Sequence, residues 1–202
     1  EASTEPPGPQ PLSIDIDRFA ADVELLEGFS REYGQWKLSG EANIPRTGAK
    51  KAIINAASNS RPGDFLRINA VVGNTIDEMR LNLRANEARG GPLAGALGYS
   101  PDRPFSATAV VNGEIIDAIV RTGDFVPLVI KGRYGKTLTR ISGFADFSGS
   151  DLLAPFVKRI GRTARFGFAT STDSDDDGRI GVGWRLMAEN LQSSASGEIN
   201  LS

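Results

Sequence analysis

Apolar and polar residues alternate with a period of two along most of this chain. The pattern is sharpest between Thr75 and Val111, where Met79, Leu81, Leu83 and Ala85 interleave with Arg80, Asn82, Arg84 and Asn86. That spacing predicts a strand with one oily and one wet face. The alternation breaks at Gly90-Gly91, and Pro92, Leu93, Ala94, Ala96 and Leu97 predict a short apolar helix ended by Gly98. A second strand follows at Phe105, Ala107, Ala109 and Val111.

The same order of elements returns later in the chain. Ile141 to Phe147 reads as a strand, Ser150 as the cap of a helix over Asp151–Arg159, and Ala164 to Thr170 as a strand again. Leu81 and Ile141, Leu93 and Leu153, and Ala94 and Ala154 are each 60 residues apart, which is the mark of an internal repeat.

Elsewhere the alternation predicts about a dozen strands in consecutive hairpin order. Leu12, Ile14 and Ile16 begin one, and Phe19 to Glu27 reads as a separate second. Gln35 to Ile44, Lys51 to Ala57 and Phe65 to Val72 follow, the last two joined through Asn59-Ser60-Arg61-Pro62-Gly63-Asp64. Asn112-Gly113 is a hairpin signal, and Glu114 to Arg121, Phe125 to Gly132 and Lys136 to Phe147 come after it. Pro127 predicts an edge position or a bulge for its strand. The last strands are Arg179 to Asn190 and Ser194 to Leu201. Gln35 to Ile44, Thr75 to Asn86 and Arg179 to Asn190 approach 33 Å at ~3.3 Å per residue, long for a sandwich and suited to a sheet that curls around something.

Composition narrows the chemistry. The 202 residues carry a net charge of −2 with both signs interspersed, which excludes the broad cationic face that nucleic acid needs. The chain has no Cys and no His, so disulfides, thiolate or imidazole metal sites and His-based catalysis are all absent. No apolar run reaches the ~20 residues of a membrane helix. Asp173-Ser174-Asp175-Asp176-Asp177-Gly178 resembles the start of a calcium loop, but Trp184 stands where the bidentate acid belongs, so a solvated hairpin tip is expected. The Pro-rich opening, residues 1–11, reads as a linker or the end of a preceding segment.

The run Arg84-Ala85-Asn86-Glu87-Ala88-Arg89-Gly90-Gly91-Pro92-Leu93-Ala94-Gly95-Ala96-Leu97-Gly98, the Asn112-Gly113 turn, and Gly149-Ser150-Asp151-Leu152-Leu153-Ala154-Pro155-Phe156 carry a resemblance to a known family. They resemble the repetitive central region of the TamB family, translocation and assembly module subunits within the wider AsmA-like, repeating β-groove proteins. The likeness covers most of the chain, best from Phe65 to Ser202. It implies a segment of a long periplasmic protein, anchored in the inner membrane of a Gram-negative bacterium by a helix outside this chain. It further implies a taco-shaped sheet that moves phospholipids, or outer-membrane protein clients, across the periplasm. The outer-membrane barrel protein TamA would be met through regions outside this chain.

The expected fold is therefore mainly β: a long antiparallel meander curled into an open, taco- or groove-like sheet with two short helices. Residues 12–202 would form the groove segment, with approximate repeats at 75–134 and 135–202. Candidate groove-lining residues are Leu38, Ala42, Leu66, Ile68, Ala70, Val72, Leu81, Leu83, Ala107, Ala109, Val182, Trp184 and Leu186. An apolar groove would shield the acyl chains of a phospholipid or other amphiphile at ~0.8 kcal/mol per buried CH₂, with no cofactor and no catalytic group. Two other classes compete. A scaffold or adhesive module predicts the same alternation around a filled core, and a carbohydrate enzyme needs a carboxylate pair in an aromatic-rimmed cleft that this chain is poorly supplied to build.

Overall fold

A computed structural model describes residues 13–25, 34–75, 78–89, 91–100, 102–135, 137–172 and 179–200. The opening linker and the acidic stretch Asp173–Gly178 lie outside the described residues. Twelve strands form one sheet in sequence order: β1 (Ile14–Leu25), β2 (Gly34–Ile44), β3 (Lys50–Ser58), β4 (Phe65–Val72), β5 (Arg80–Glu87), β6 (Phe105–Asn112), β7 (Ile115–Thr122), β8 (Phe125–Arg133), β9 (Leu138–Asp146), β10 (Thr163–Thr172), β11 (Arg179–Ala188) and β12 (Gln192–Asn200). Every neighbouring pair is antiparallel. Helix α1 (Pro92–Ala96) interrupts the β5–β6 connection, and a 3₁₀ turn (Asp151–Leu153) with helix α2 (Ala154–Ile160) interrupts β9–β10.

The alternation predicted along the chain becomes this meander because consecutive strands need only short turns. Asn112 closes β6 opposite Ile115, so the two-residue turn is Gly113-Glu114, with Gly113 at φ 57°. Thr122 and Phe125 pair around Gly123-Asp124 in the same way, Gly123 having φ 59°. A positive φ at the first central residue is what matches a two-residue loop to the twist of its strands, and glycine adopts it without strain.

Three expectations need correction. Residues 14–25 are one strand, its register shifting between Ile16 and Phe19 rather than breaking. A bulge absorbs the phase slip that reads as two strands in the sequence. Ser150 precedes the second helical insertion but makes no capping bond; its Oγ donates to Leu97 O at 2.7 Å. Finally, the sheet is not closed or strongly curled. Curvature comes from bulges and register breaks, and register shifts occur only within β1/β2 and within β7/β8 among the described pairings. The second of these, between Val120 and Thr122, lies opposite the segment that carries Pro127, so that proline sits at a bulge rather than an edge.

The buried core lies at one end of the sheet. Ala85, Ala94, Tyr99 and Phe105 form its centre, with Leu66, Leu93, Ala107, Val120 and Phe125 packed around them. Helix α1 is seated there by Glu87, whose two carboxylate oxygens accept from Leu93 N at 2.7 Å and Ala94 N at 2.9 Å. These donors belong to the first turn of the helix and have no partner within it. A Cβ on Gly91 would approach the Glu87 carboxyl to 2.3 Å, so only glycine lets the helix settle over that side chain. Burial pushes the Glu87 pKa up, opposed by the two backbone donors. Beside it, Asp64 is tied to Ala88 N at 2.7 Å and to Arg61 Nε at 3.0 Å.

Candidate functional site: an uncovered apolar face

Register turns twelve separate alternations into one surface. Residues that pair directly across antiparallel strands point to the same side of the sheet. One row of such pairs runs Ile16, Ala42, Ala52, Ala70, Leu81, Val111, Ile116, Gly132, Ile141, Phe168, Trp184, Ala195, crossing all twelve strands without a charged residue. A second row passes through Phe19, Ile54, Ile68, Leu83, Ala109, Ile130, Phe166 and Leu186, and a third through Leu38, Leu66, Ala107 and Leu128. At ~4.8 Å between strands the face is roughly 50 Å across.

All thirteen candidate lining residues lie on this face. Leu38, Leu66 and Ala107 share one row; Ile68, Leu83, Ala109 and Leu186 the next; Ala42, Ala70, Leu81 and Trp184 the third. Val72 and Val182 continue the same side one position further out, beside Lys50 and Thr170 respectively. Sequence reasoning omitted Phe19, Ile54, Ile116, Ile130, Ile141, Phe166 and Phe168, which belong to the same rows. Their period-2 spacing carries the signal that would have found them.

Exposure along the rows varies with what lies above them. Ala56, Ala85, Ala145 and Ala164 are buried in the row at the end where the helices sit, and their small side chains leave room for the covering segments. Away from that end the residues are large and open: Trp184 is 43% exposed, Phe168 39% and Ile16 40%. Two glycines level the surface. A Cβ on Gly40 would lie 2.6 Å from the Phe19 ring, and one on Gly143 2.2 Å from the Phe166 ring, so each aromatic lies across the backbone of a neighbouring glycine.

Among the described residues no second layer covers the face beyond the helical end. It is an open platform rather than a furrow. A depression of about 580 Å³ over β9–β12 has Arg140, Gly167, Gly183 and Arg185 along its lining, positions that belong to the opposite, polar side. That side also carries Asp15, Lys37, Arg67, Asn82, Arg84 and Asp117, and an ion pair of 2.6 Å between Lys51 and Glu41.

Comparison with protein families, curated proteins and solved structures returns no match. The face must therefore be read from its own chemistry. Among the described residues no cluster of acidic side chains could hold a metal ion, and no helix is long and apolar enough to cross a membrane. What remains is a contiguous apolar surface on the order of 600–700 Å² in projection, at the upper end of the ~300–600 Å² that the largest patch of an ordinary monomer exposes.

Proposed function

We propose that this chain is a segment of a lipid-carrying, periplasm-spanning protein, and that its apolar face lies against phospholipid acyl chains. The observation that carries this reading is the set of apolar rows crossing the sheet with no covering layer among the described residues. Such a surface gains free energy from any guest that removes it from water, at about 25 cal/mol per Å². A row of methyl and aromatic groups without hydrogen-bonding partners selects a hydrocarbon chain over a polar one. The sheet's length across its strands suits a guest that slides, because no single row differs enough from the next to trap it.

The open platform, with its helical end as one wall, belongs to this proposal. So do residence in the periplasm, an inner-membrane anchor outside this chain, and contact with TamA through other regions, all of which follow from the resemblance to the TamB family. The face needs no catalytic group to do this work. A scaffold with a filled core is less well supported, because the buried apolar residues concentrate beneath the helices and leave the rest of the rows open.

The test places a charge on the open rows. Leu81→Arg and Leu186→Arg each put a guanidinium among apolar neighbours on half-buried positions, where it can still reach water. With a photoactivatable fatty-acyl phospholipid, both variants should lose most cross-linking to this chain while the circular dichroism of the sheet is unchanged. Undiminished cross-linking in both would sink the proposal.

A further inference from the structure

Between the two helical insertions, at the closed end of the apolar face, lies a cavity of about 320 Å³ that the acyl-binding reading does not use. Its lining includes Ser100, Arg103, Thr122, Phe125, Ser148 and Arg162. Thr122 is 3% exposed, and its Oγ1 is buried with no hydrogen-bond partner among the described residues. A buried hydroxyl of this kind calls for an explanation, since leaving it unpaired is costly and most such groups in folded proteins are satisfied.

The charges around it are unevenly used. Asp146 is saturated: its Oδ1 accepts from Ser148 N at 2.9 Å and Ser148 Oγ at 2.6 Å, and its Oδ2 faces Arg162 Nε at 3.4 Å. That leaves the terminal nitrogens of Arg162 uncommitted by this pair. Arg103 has no acidic partner among the described residues, and its methylene stem lies over Gly123, where a Cβ would meet Arg103 Cδ at 3.5 Å. Ser100 Oγ accepts from Asp102 N at 3.4 Å, which leaves its own proton to give. Two guanidinium groups and the Ser100 hydroxyl thus border one cavity with Thr122 in its lining, and the nearby Asp146 carboxylate is engaged by Ser148 and by Nε of Arg162.

We propose that this cavity binds a phosphoryl group. A tetrahedral oxyanion accepts from several donors at once, and guanidinium forks match its oxygens in pairs. Thr122 lines the cavity with its Oγ1 buried and unpaired, so a phosphoryl oxygen within reach of it would satisfy that hydroxyl. Phe125 packs into the cluster beneath α1, so the cavity adjoins the end of the apolar face. The phosphoryl group is therefore either the headgroup of a lipid whose chains lie on that face, which rests on the proposed function, or a free phosphate, which does not.

Calorimetric titration of the whole chain separates these sources. Three probes are used: inorganic phosphate, dihexanoylphosphatidylglycerol, and dihexanoylglycerol, which lacks the phosphate. Saturable binding of a phosphate-bearing probe at one site per chain is expected, weakened at least ten-fold by Arg103→Gln and three- to ten-fold by the near-isosteric Thr122→Val. Arg103 is exposed and Thr122→Val removes an unpaired hydroxyl, so both variants should keep the wild-type circular dichroism and melting temperature. Binding of dihexanoylphosphatidylglycerol but not inorganic phosphate assigns the site to a headgroup; comparable binding of both assigns it to phosphate itself. No binding of either, or affinities that both variants leave unchanged, overturns the site. Acyl cross-linking that persists in Arg103→Gln keeps the platform reading separate from this outcome.

Discussion

Ala94 of α1 has no exposed surface and Pro92 is buried, whereas no residue of α2 is buried and Phe156 keeps 52% of its surface in solvent. Each insertion lies between two strands and has a proline near its start and a glycine of positive φ just beyond its end. Their surroundings differ. The end of α1 is covered by the segment that leads into α2, through Ser150 Oγ to Leu97 O, Asp151 N to Gly98 O at 2.9 Å, and the Tyr99–Ser150 bridge. Among the described residues the end of α2 meets the β11–β12 turn, where Asn190 N donates to Ile160 O at 3.0 Å and Glu189 accepts from Arg162 N. What a short helix buries is set by the segment packed over it, so one insertion yields a core residue and the other a surface residue.

Truncating an aromatic side chain tests this contrast most strongly. Phe105→Ala, beneath α1 where Phe105 is 2% exposed, should cost about 3–5 kcal/mol in urea unfolding. Phe156→Ala on α2 should stay within about 0.5 kcal/mol. Equal costs would mean that α2 is packed as firmly as α1 and the contrast is empty.

Glu87 provides a second test, through pH. Burial holds its carboxyl above the ordinary range, so the folded chain binds that proton more tightly than the unfolded chain does. Its contribution to stability therefore grows as pH falls from neutral through the raised folded value, and levels off below the unfolded value of about 4.3. Glu87→Gln should remove this gain, flattening stability against pH over that window when unfolding is followed by fluorescence. No counterpart carboxylate caps α2 among the described residues, so the pH response belongs to the α1 end.

The smallest effect concerns the link between the two insertions. Ser150→Ala deletes the bond to Leu97 O and should cost about 0.5–1.5 kcal/mol. Hydrogen exchange should then speed up at Leu97 and Gly98 more than at Val157 or Lys158. Uniform acceleration across both helices would show that Ser150 acts on the sheet rather than on the junction.

Much of the candidate face was legible beforehand. Leu81, Leu83, Leu66 and Ile68 reveal their shared side by alternation alone, since a strand's period of two is a local property. Ser150 misled because a serine immediately before Asp151-Leu152-Leu153-Ala154 looks like a cap, while its actual acceptor, Leu97 O, is 53 residues away. Glu87 was not singled out, because its role depends on α1 folding back over the strand that carries it. The Thr122 hydroxyl gives no sign in sequence, where a threonine at the end of a strand is ordinary.

By itself the amino-acid sequence determined where strands alternate, where glycine turns them, and that two short apolar helices interrupt the series. Only the tertiary structure decided that every alternation falls in phase on one side of a twelve-strand sheet, that this sheet stays open, and that one helix is covered while the other is not. Side-chain direction within a strand is fixed by neighbouring dihedral angles. Phase between strands, curvature and coverage depend on pairings between residues far apart in the chain, and no local pattern specifies those.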